Sequence, residues 1–367
     1  MSTLTQANAN WSSRPNDERF LSLLDMQSHF ERVREESRQA VIANRRVELQ
    51  PHDDNKGLSA VIDGKPLELT HWSFGQLATL AGAPAGYLRD IPSPLAADCV
   101  NYGLQIARNV DDVGILTQEN GSNVLRAATG PRYGRIWNAT ITNKLVDRFG
   151  DGVTGAWKVP GEFGENVPVT KENTTLYASD RDMFIFLADE QNRIEIPNRR
   201  NGESGSLARG FFLWNSEVGS STFGIGTFLF DYVCKNRIVW GAEEYKEVRI
   251  RHTGGAPERW LEEAAPALEA YAQGSASNVQ AAIADARAAR LDNVDDFLAK
   301  RYGKRLVPVL KAIHEAEEAT PITSLWDVTK AVTAYARGIE HQDERVKLER
   351  DAPCHGHGRV RLSGGIP

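Results

Sequence analysis

The spacing of apolar and polar positions changes character twice along the chain. Near the start, Phe20, Leu23, Leu24 and Met26 open a helical stripe that the charged segment ERVREESRQ continues. Residues 45–49 then alternate as a strand does. The apolar runs 58–62 and 67–69 flank Asp63-Gly64, a two-residue hairpin signal. Residues 70–108 read as a helical hairpin or short bundle. Ser73 and Gln76 have capping-box spacing, Gly82 can end a helix and Pro84 can start the next. A second hairpin signal, Asn120-Gly121, separates the alternating runs 113–119 and 123–129. Residues 133–149 read as a strand end entering a helix, with Ile136, Ile141, Leu145, Val146 and Phe149 on its apolar face. Strands are expected at 153–159, 176–178 and 183–188, and a polar loop at 194–205.

The most apolar segment follows, LARGFFLWNSEVGSSTFGIGTFLFDYVCKNRIVWG at 207–241. Its blocks 211–214 and 228–233 hold the aromatic and β-branched residues that fill strands, and no proline occurs between Asn198 and Ala256. Between them lies the polar insert 215–221, followed by Gly224 and Gly226, which read as a sheet bend. Cys234-Lys235-Asn236-Arg237 is a second break. Polar groups this close to core strands are either satisfied internally or presented to a ligand. After residue 256 the texture turns to alanine and charge. Trp260, Ala264, Leu268 and Tyr271 share one helical face, and the spacing predicts further helices near 277–280, 294–298, 306–313 and 325–339, the last opened by Ser324 and Asp327. These helices serve equally to cover the sheet or to build an assembly. The fold class is α+β: mostly antiparallel sheet with packed helices in the central region, and an all-α C-terminal region. The expected divisions are a flexible N-terminus at 1–17, an α+β core domain at 18–255, a helical domain or arm at 256–350 and a flexible tail at 351–367.

NSEVG at 215–219, an aromatic-rich segment and VCKN at 233–236 resemble the phage- and plasmid-associated family called domain of unknown function 932. GAPAGYLRDIPSPLAADCVNYGL at 82–104, YGRIWNATI at 133–141 and SDRDMFIFL at 179–187 extend the resemblance over roughly 60–245, leaving a variable helical remainder. The resemblance implies the company of phages, plasmids and mobile elements, and it brings no activity with it.

Composition narrows the classes. A formal net charge of -6 argues against a surface coated in positive charge, while leaving room for a local basic groove. Three widely spaced cysteines, Cys99, Cys234 and Cys354, suit a reducing compartment, and no run of 18 apolar residues or signal pattern occurs. The expected location is the cytoplasm of a bacterial host cell, with no membrane contact.

The candidate chemistry is basic first. Arg193, Arg199, Arg200 and Arg209 cluster beside the loop entering the apolar segment, with Lys235 and Arg237 at its far end. Guanidinium groups suit phosphate oxygens, and Phe211, Phe212, Trp214 and Tyr232 could stack bases where exposed. The plainer reading is a solvated loop over a buried aromatic core. Asn215, Ser216, Glu217 and Asn236 combine donors and acceptors at abrupt breaks in apolar strands, so they read as a ligand site. They read equally well as groups that tie down turns, with Glu217 paired to an arginine such as Arg209.

Asp180 and Asp182, with Glu217 and Asp231, could gather a divalent metal for phosphodiester hydrolysis, but DRD between strands is first of all turn chemistry. Helix-turn-helix spacing places Tyr87, Leu88 and Arg89 on a second helix. With Arg89 as its one cation, that helix reads better as packing. Cys354-His355-Gly356-His357 lacks a second ligand pair, and Cys234 reads as a small buried hydrophobe. No cofactor and no metal is expected.

The leading expectation is a non-enzymatic phage or mobile-element protein that handles nucleic acid, as a single-strand binder or a recombination or replication accessory. The alternative is a protein-binding factor such as a host-defence inhibitor or replication partner, and the third reading is a metal-dependent nuclease. The expected partners are accordingly single-stranded DNA, or a host or phage protein, together with further copies of the chain in a homo-oligomer.

Overall fold

The computed structural model describes residues 15–54, 57–106, 111–119, 121, 123–159, 168–197, 204–231, 237–238, 248–274 and 277–337. Two sheets organise them. The chain enters through β1 (Arg19–Phe20) and α1 (Leu23–Glu36), capped by the Ser22 hydroxyl, which accepts from the Asp25 amide. The six-stranded sheet follows: β2 (Ser37–Ala43), β3 (Val47–Pro51), β4 (Leu58–Ile62), β5 (Lys65–Leu69), β6 (Asp112–Glu119) and β7 (Asn123–Thr129), in the order β2-β6-β7-β5-β4-β3. All its pairs are antiparallel except β5 with β7. Asp63 and Gly64 take φ values of 52° and 78°, the left-handed pair that a tight hairpin between β4 and β5 requires.

Between β5 and β6 come α2 (His71–Leu80), α3 (Ala85–Asp90) and α4 (Ser93–Ile106). Phe74, Leu77, Leu88, Val100 and Leu104 from these helices share a core with Val47, Leu49, Leu67 and Leu125 of the sheet. The helices pack, as their poverty in cations suggested. The cap of α2 is Thr70 and not Ser73, because Thr70 accepts from the Ser73 amide one turn earlier than expected. On the outer edge of β3, the Asn101 side chain accepts from the Leu49 N–H (2.7 Å) and donates to the Leu49 carbonyl (2.9 Å).

The second sheet is nine-stranded. After α5 (Asn138–Phe149) it collects β8 (Trp157–Lys158), β9 (Leu176–Ala178), β10 (Met183–Asp189), β11 (Ile194–Ile196), β12 (Gly205–Asn215), β13 (Phe223–Asp231), β14 (Arg237–Ile238) and β15 (Val248–Ile250). The order is β1-β9-β10-β12-β13-β14, with β8 beside β10, β11 beside β12 and β15 beside β13. The expected strand at 153–159 reduces to β8, and the loop expected from residue 194 begins as a strand, Ile194 pairing with Leu207.

Strands β10 and β12 are buried on both faces, which explains their unbroken apolar runs. Ile185, Leu187, Phe211 and Leu213 meet α1 and α5, whereas Phe184, Phe186, Phe212 and Trp214 form an aromatic layer opposite. Gly224 and Gly226 are seats for that layer and not a bend. A Cβ on Gly224 would fall 1.9 Å from the Trp214 ring, and one on Gly226 would fall 2.5 Å from the Phe212 ring. Cross-strand rings lie flat on bare backbone, so glycine is required there for close approach.

The remaining helices are α6 (Ala256–Arg259) and α7 (Ala265–Gln273), joined through a π-helical turn at Trp260–Ala264, then α8 (Ser277–Ala288), α9 (Val294–Tyr302), α10 (Val307–Glu318) and α11 (Leu325–Arg337). Trp260, Ala264 and Leu268 join the core under the nine-stranded sheet. Ile283, Ala286 and Trp326 pack on Ile194, Ile196, Leu207 and Leu229. Part of the helical region therefore covers the sheet, while Leu298, Leu310, Val328 and Val332 make a small core of their own. Among the described residues, no helix is long and apolar enough to cross a membrane.

Candidate functional site

The insert after β12 is a joint between the two sheets. Asn215, Ser216 and Glu217 are all buried, and the partners of Asn215 and Glu217 lie far away in sequence. Glu217 receives the Arg126 guanidinium of β7 at 2.9 Å and the Asn138 amide at 2.8 Å, while Arg135 donates to its main-chain carbonyl at 2.9 Å. Asn215 donates to the Ile136 carbonyl and to Asn138 Oδ1. The Ser216 hydroxyl donates to the Arg181 carbonyl and accepts from the Ser220 amide. From the six-stranded side, Trp72 and Gln76 both donate to the Val218 carbonyl (2.9 and 2.7 Å), and the Tyr133 hydroxyl donates to the Ser216 carbonyl. The polar break in the apolar strand exists because residues of both halves reach into it.

YGRIW supplies the matching half. In this irregular segment Tyr133 and Trp137 both lie beside the Arg135 guanidinium. The Arg135 guanidinium carbon lies 5.2 Å from the Tyr133 ring centre and 5.6 Å from that of Trp137. Arg34 covers Trp137 at 3.9 Å, and Tyr133 stacks on His252 at 4.9 Å. Burial lowers the Arg135 guanidinium from its ordinary value, opposed by the nearby Tyr133 and Glu217. Burial raises the Tyr133 hydroxyl and drops His252 to about 4.

Of the arginines expected to line a groove, the two whose side chains are described, Arg193 and Arg209, each turn to a carboxylate of the protein. Arg209 is buried, 3.5 Å from Asp189 and 5.5 Å from the Tyr271 ring centre, so it cannot serve a phosphate in solvent. The ion-pair partner of Arg209 is Asp189 and that of Glu217 is Arg126; the two expected to pair with each other do not. Arg193 bends back onto Glu190, its nearest approach to the carboxylate being 3.7 Å. Arg199, Arg200, Lys235 and Asn236 lie outside the described residues, as do Tyr232, Cys234, Cys354, residues 1–14 and residues 338–367; Arg237 is placed only by the pairing of β14 with Phe230. Phe211, Phe212 and Trp214 are core and offer no stacking surface. Asp180 and Asp182 part company in a tight turn: Asp182 is buried and accepts from the Ser179 hydroxyl, while Asp180 is exposed beside Arg181. Among the described residues, no group of three side chains is placed to hold a metal.

What the joint does create is an open groove of about 600 Å³ directly above it. α2 contributes His71, Trp72 and Gln76, α3 contributes Arg89, the turn before β10 contributes Arg181, and Tyr133 and Gly219 complete its floor. Gly219 has φ 84°, a conformation that favours glycine. The charged side chains on the wall, Arg89 and Arg181, are exposed and cationic. Arg89 donates to the His71 carbonyl at 2.9 Å and lies over Phe74. Sequence reasoning met both arginines, one as the lone cation of a packed helix and one inside a turn. It passed them over because nothing local ties residues 89 and 181 together.

No curated protein and no solved structure matches the chain. A family model does, the domain of unknown function (DUF932), over residues 164–347. That span contains Arg181, the joint and the helical region through α11, so the similarity reaches further toward the C-terminus than the motifs suggested, while Arg89 and YGRIW precede it. Covering half of the sequence, the match makes this chain a member of the domain of unknown function 932 family.

Proposed function

We propose that this is a non-enzymatic, nucleic-acid-handling protein of a phage or other mobile element, working in the bacterial cytoplasm, and that single-stranded DNA binds in the groove above the joint. One observation carries the reading: Arg89 and Arg181, from opposite halves of the molecule, open onto the same groove, where none of the described lining residues is a carboxylate, the exposed Asp180 standing 3.8 Å from Arg181 outside that lining. His71 and Trp72 on the same wall offer ring edges or faces to bases. An acidic chain with one short cationic groove fits a local contact with a strand better than wholesale coating of a duplex.

The test is titration of a labelled single-stranded oligonucleotide at about 50 and about 200 mM salt. Binding should weaken as salt rises, and Arg89→Ala or Arg181→Ala should each weaken it and flatten the salt slope by about one. Affinity indifferent to salt and to both substitutions would refute the reading.

The alternative is a protein-binding factor, favoured by a different surface. Leu95, Tyr102 and Ile106 are exposed on α4 at spacings of seven and four, so they share one helix face, and Tyr87 on α3 is exposed as well. Capture of one defined protein, lost on Leu95→Glu or Tyr102→Glu and indifferent to Arg89→Ala, would select it.

A further inference from the structure

The groove does not stop at Arg89. A second depression of about 270 Å³, lined by Leu58, Thr70, Phe74, Ile91 and Ser93 among others, shares His71 and Arg89 with the first. Arg89 therefore stands on the saddle between two hollows. It is held there before any ligand arrives: one of its five donors is spent on the His71 carbonyl, its guanidinium carbon sits 5.3 Å from the Phe74 ring centre, and Gly75 leaves it room, since a Cβ there would lie 3.3 Å from Nη2. A cation fixed in advance loses little freedom on binding.

A compact ligand would be accommodated by the first hollow alone, which already has the size of a small-molecule site. Continuation past a shared arginine suits a ligand whose charge repeats along a chain. The far hollow is also anion-tolerant, because α2 and α4 both present their first residues there, His71 and Ser93. Partly exposed rings, Trp72 and Tyr133, accompany the cations in the first hollow, which favours a nucleic-acid strand over an acidic peptide; Phe74 in the second is buried and serves only as the seat of Arg89.

We infer that the groove takes a strand lying across both hollows, with backbone phosphates against Arg181 and Arg89 and its continuation over the start of α4 at Ser93. This rests on the nucleic-acid reading above and adds to it a direction and a minimum length.

The experiment is a length series on the full chain: labelled oligothymidylates of about two to about twelve nucleotides, each titrated against wild type, Ser93→Glu and Ser93→Lys. Affinity for wild type should climb with length and level off once both hollows are covered. Ser93→Glu, which suits a helix start, should weaken the long strand about tenfold more than the dinucleotide, and Ser93→Lys should favour the long strand. Opposite responses to the two charges cannot come from misfolding. Binding that depends on Arg89 and Arg181 but not on length, or equal effects of Ser93→Glu at all lengths, overturns the two-hollow strand and leaves the groove reading intact. Failure of wild type to bind any length in a salt-sensitive way overturns both. Displacement of the long strand by polyglutamate at lower concentration than by unlabelled oligothymidylate would assign the track to an acidic peptide and overturn the proposal.

Discussion

Glu217 and Arg126 meet at 2.9 Å with both side chains almost sealed from solvent, 2 % and 9 % exposed. The pair ties the end of β12 to β7 and hence one sheet to the other. A buried pair contributes little over apolar residues of equal volume, yet removing one partner strands the other charge. Glu217→Gln should cost about 3–5 kcal/mol in urea unfolding, and Glu217→Gln with Arg126→Met should recover much of that loss. A single-variant loss below about 1 kcal/mol would mean that the joint is not held by this charge pair.

Arg209 gives a contrasting expectation. Buried against Asp189 and beside Tyr271, it should act on stability and not on any strand in the groove. Arg209→Ala should lower stability by about 3 kcal/mol or more and leave the salt slope of oligonucleotide binding alone, whereas Arg181→Ala should do the reverse. A flattened slope in folded Arg209→Ala protein would return that arginine to the ligand.

Acid should loosen the molecule through its imidazoles. Burial drops His252 to about 4, opposed by the hydrogen bond to the Gly134 carbonyl, and burial followed by Arg32 and Arg126 lowers His29. Because both are depressed in the folded state, their stability is fully present above the unfolded value near 6.5 and is lost as pH falls below it. The His252 share ends near pH 4, and amounts to on the order of 3 kcal/mol. The readout is the difference between wild type and His252→Gln in unfolding free energy across that window, since carboxylates titrate in both. Parallel curves would contradict the assignment.

The glycine seats can be filled. Gly224→Ala pushes a methyl group into the Trp214 ring and should cost about 1–3 kcal/mol or more, whereas Gly254→Ala, with nothing within 4 Å of the new carbon, should be nearly neutral. Thermal unfolding of the two variants distinguishes a packed aromatic layer from a tolerant bend.

The local grammar of this chain was readable in advance: both hairpin signals, the helix that follows YGRIW, the twin apolar strands and the Ser324-Asp327 start of α11. Three-residue β11 escaped because Ile194 and Ile196 offer one alternation before Pro197, too little to separate strand from loop. The insert was visible as a break, but its purpose was not. The partners of Val218 lie 142 and 146 residues upstream, and no spacing rule connects positions so distant. One signal was available and unused: Tyr133, Arg135 and Trp137 alternate a cation between two aromatic rings, the pattern of a stacked ladder. The groove itself was illegible, since it exists only where two halves of the chain meet.

Because the Asn101 amide answers both the N–H and the C=O of Leu49, the rim of the six-stranded sheet at β3 is occupied at its midpoint by a side chain imitating a neighbouring strand. A newly made molecule whose α4 has not yet docked would expose that rim as a template for stacking on its siblings. Docking of a single helix thus ends polymerisation in that direction before it begins, and it ties the solubility of the protein to how quickly α4 finds its place.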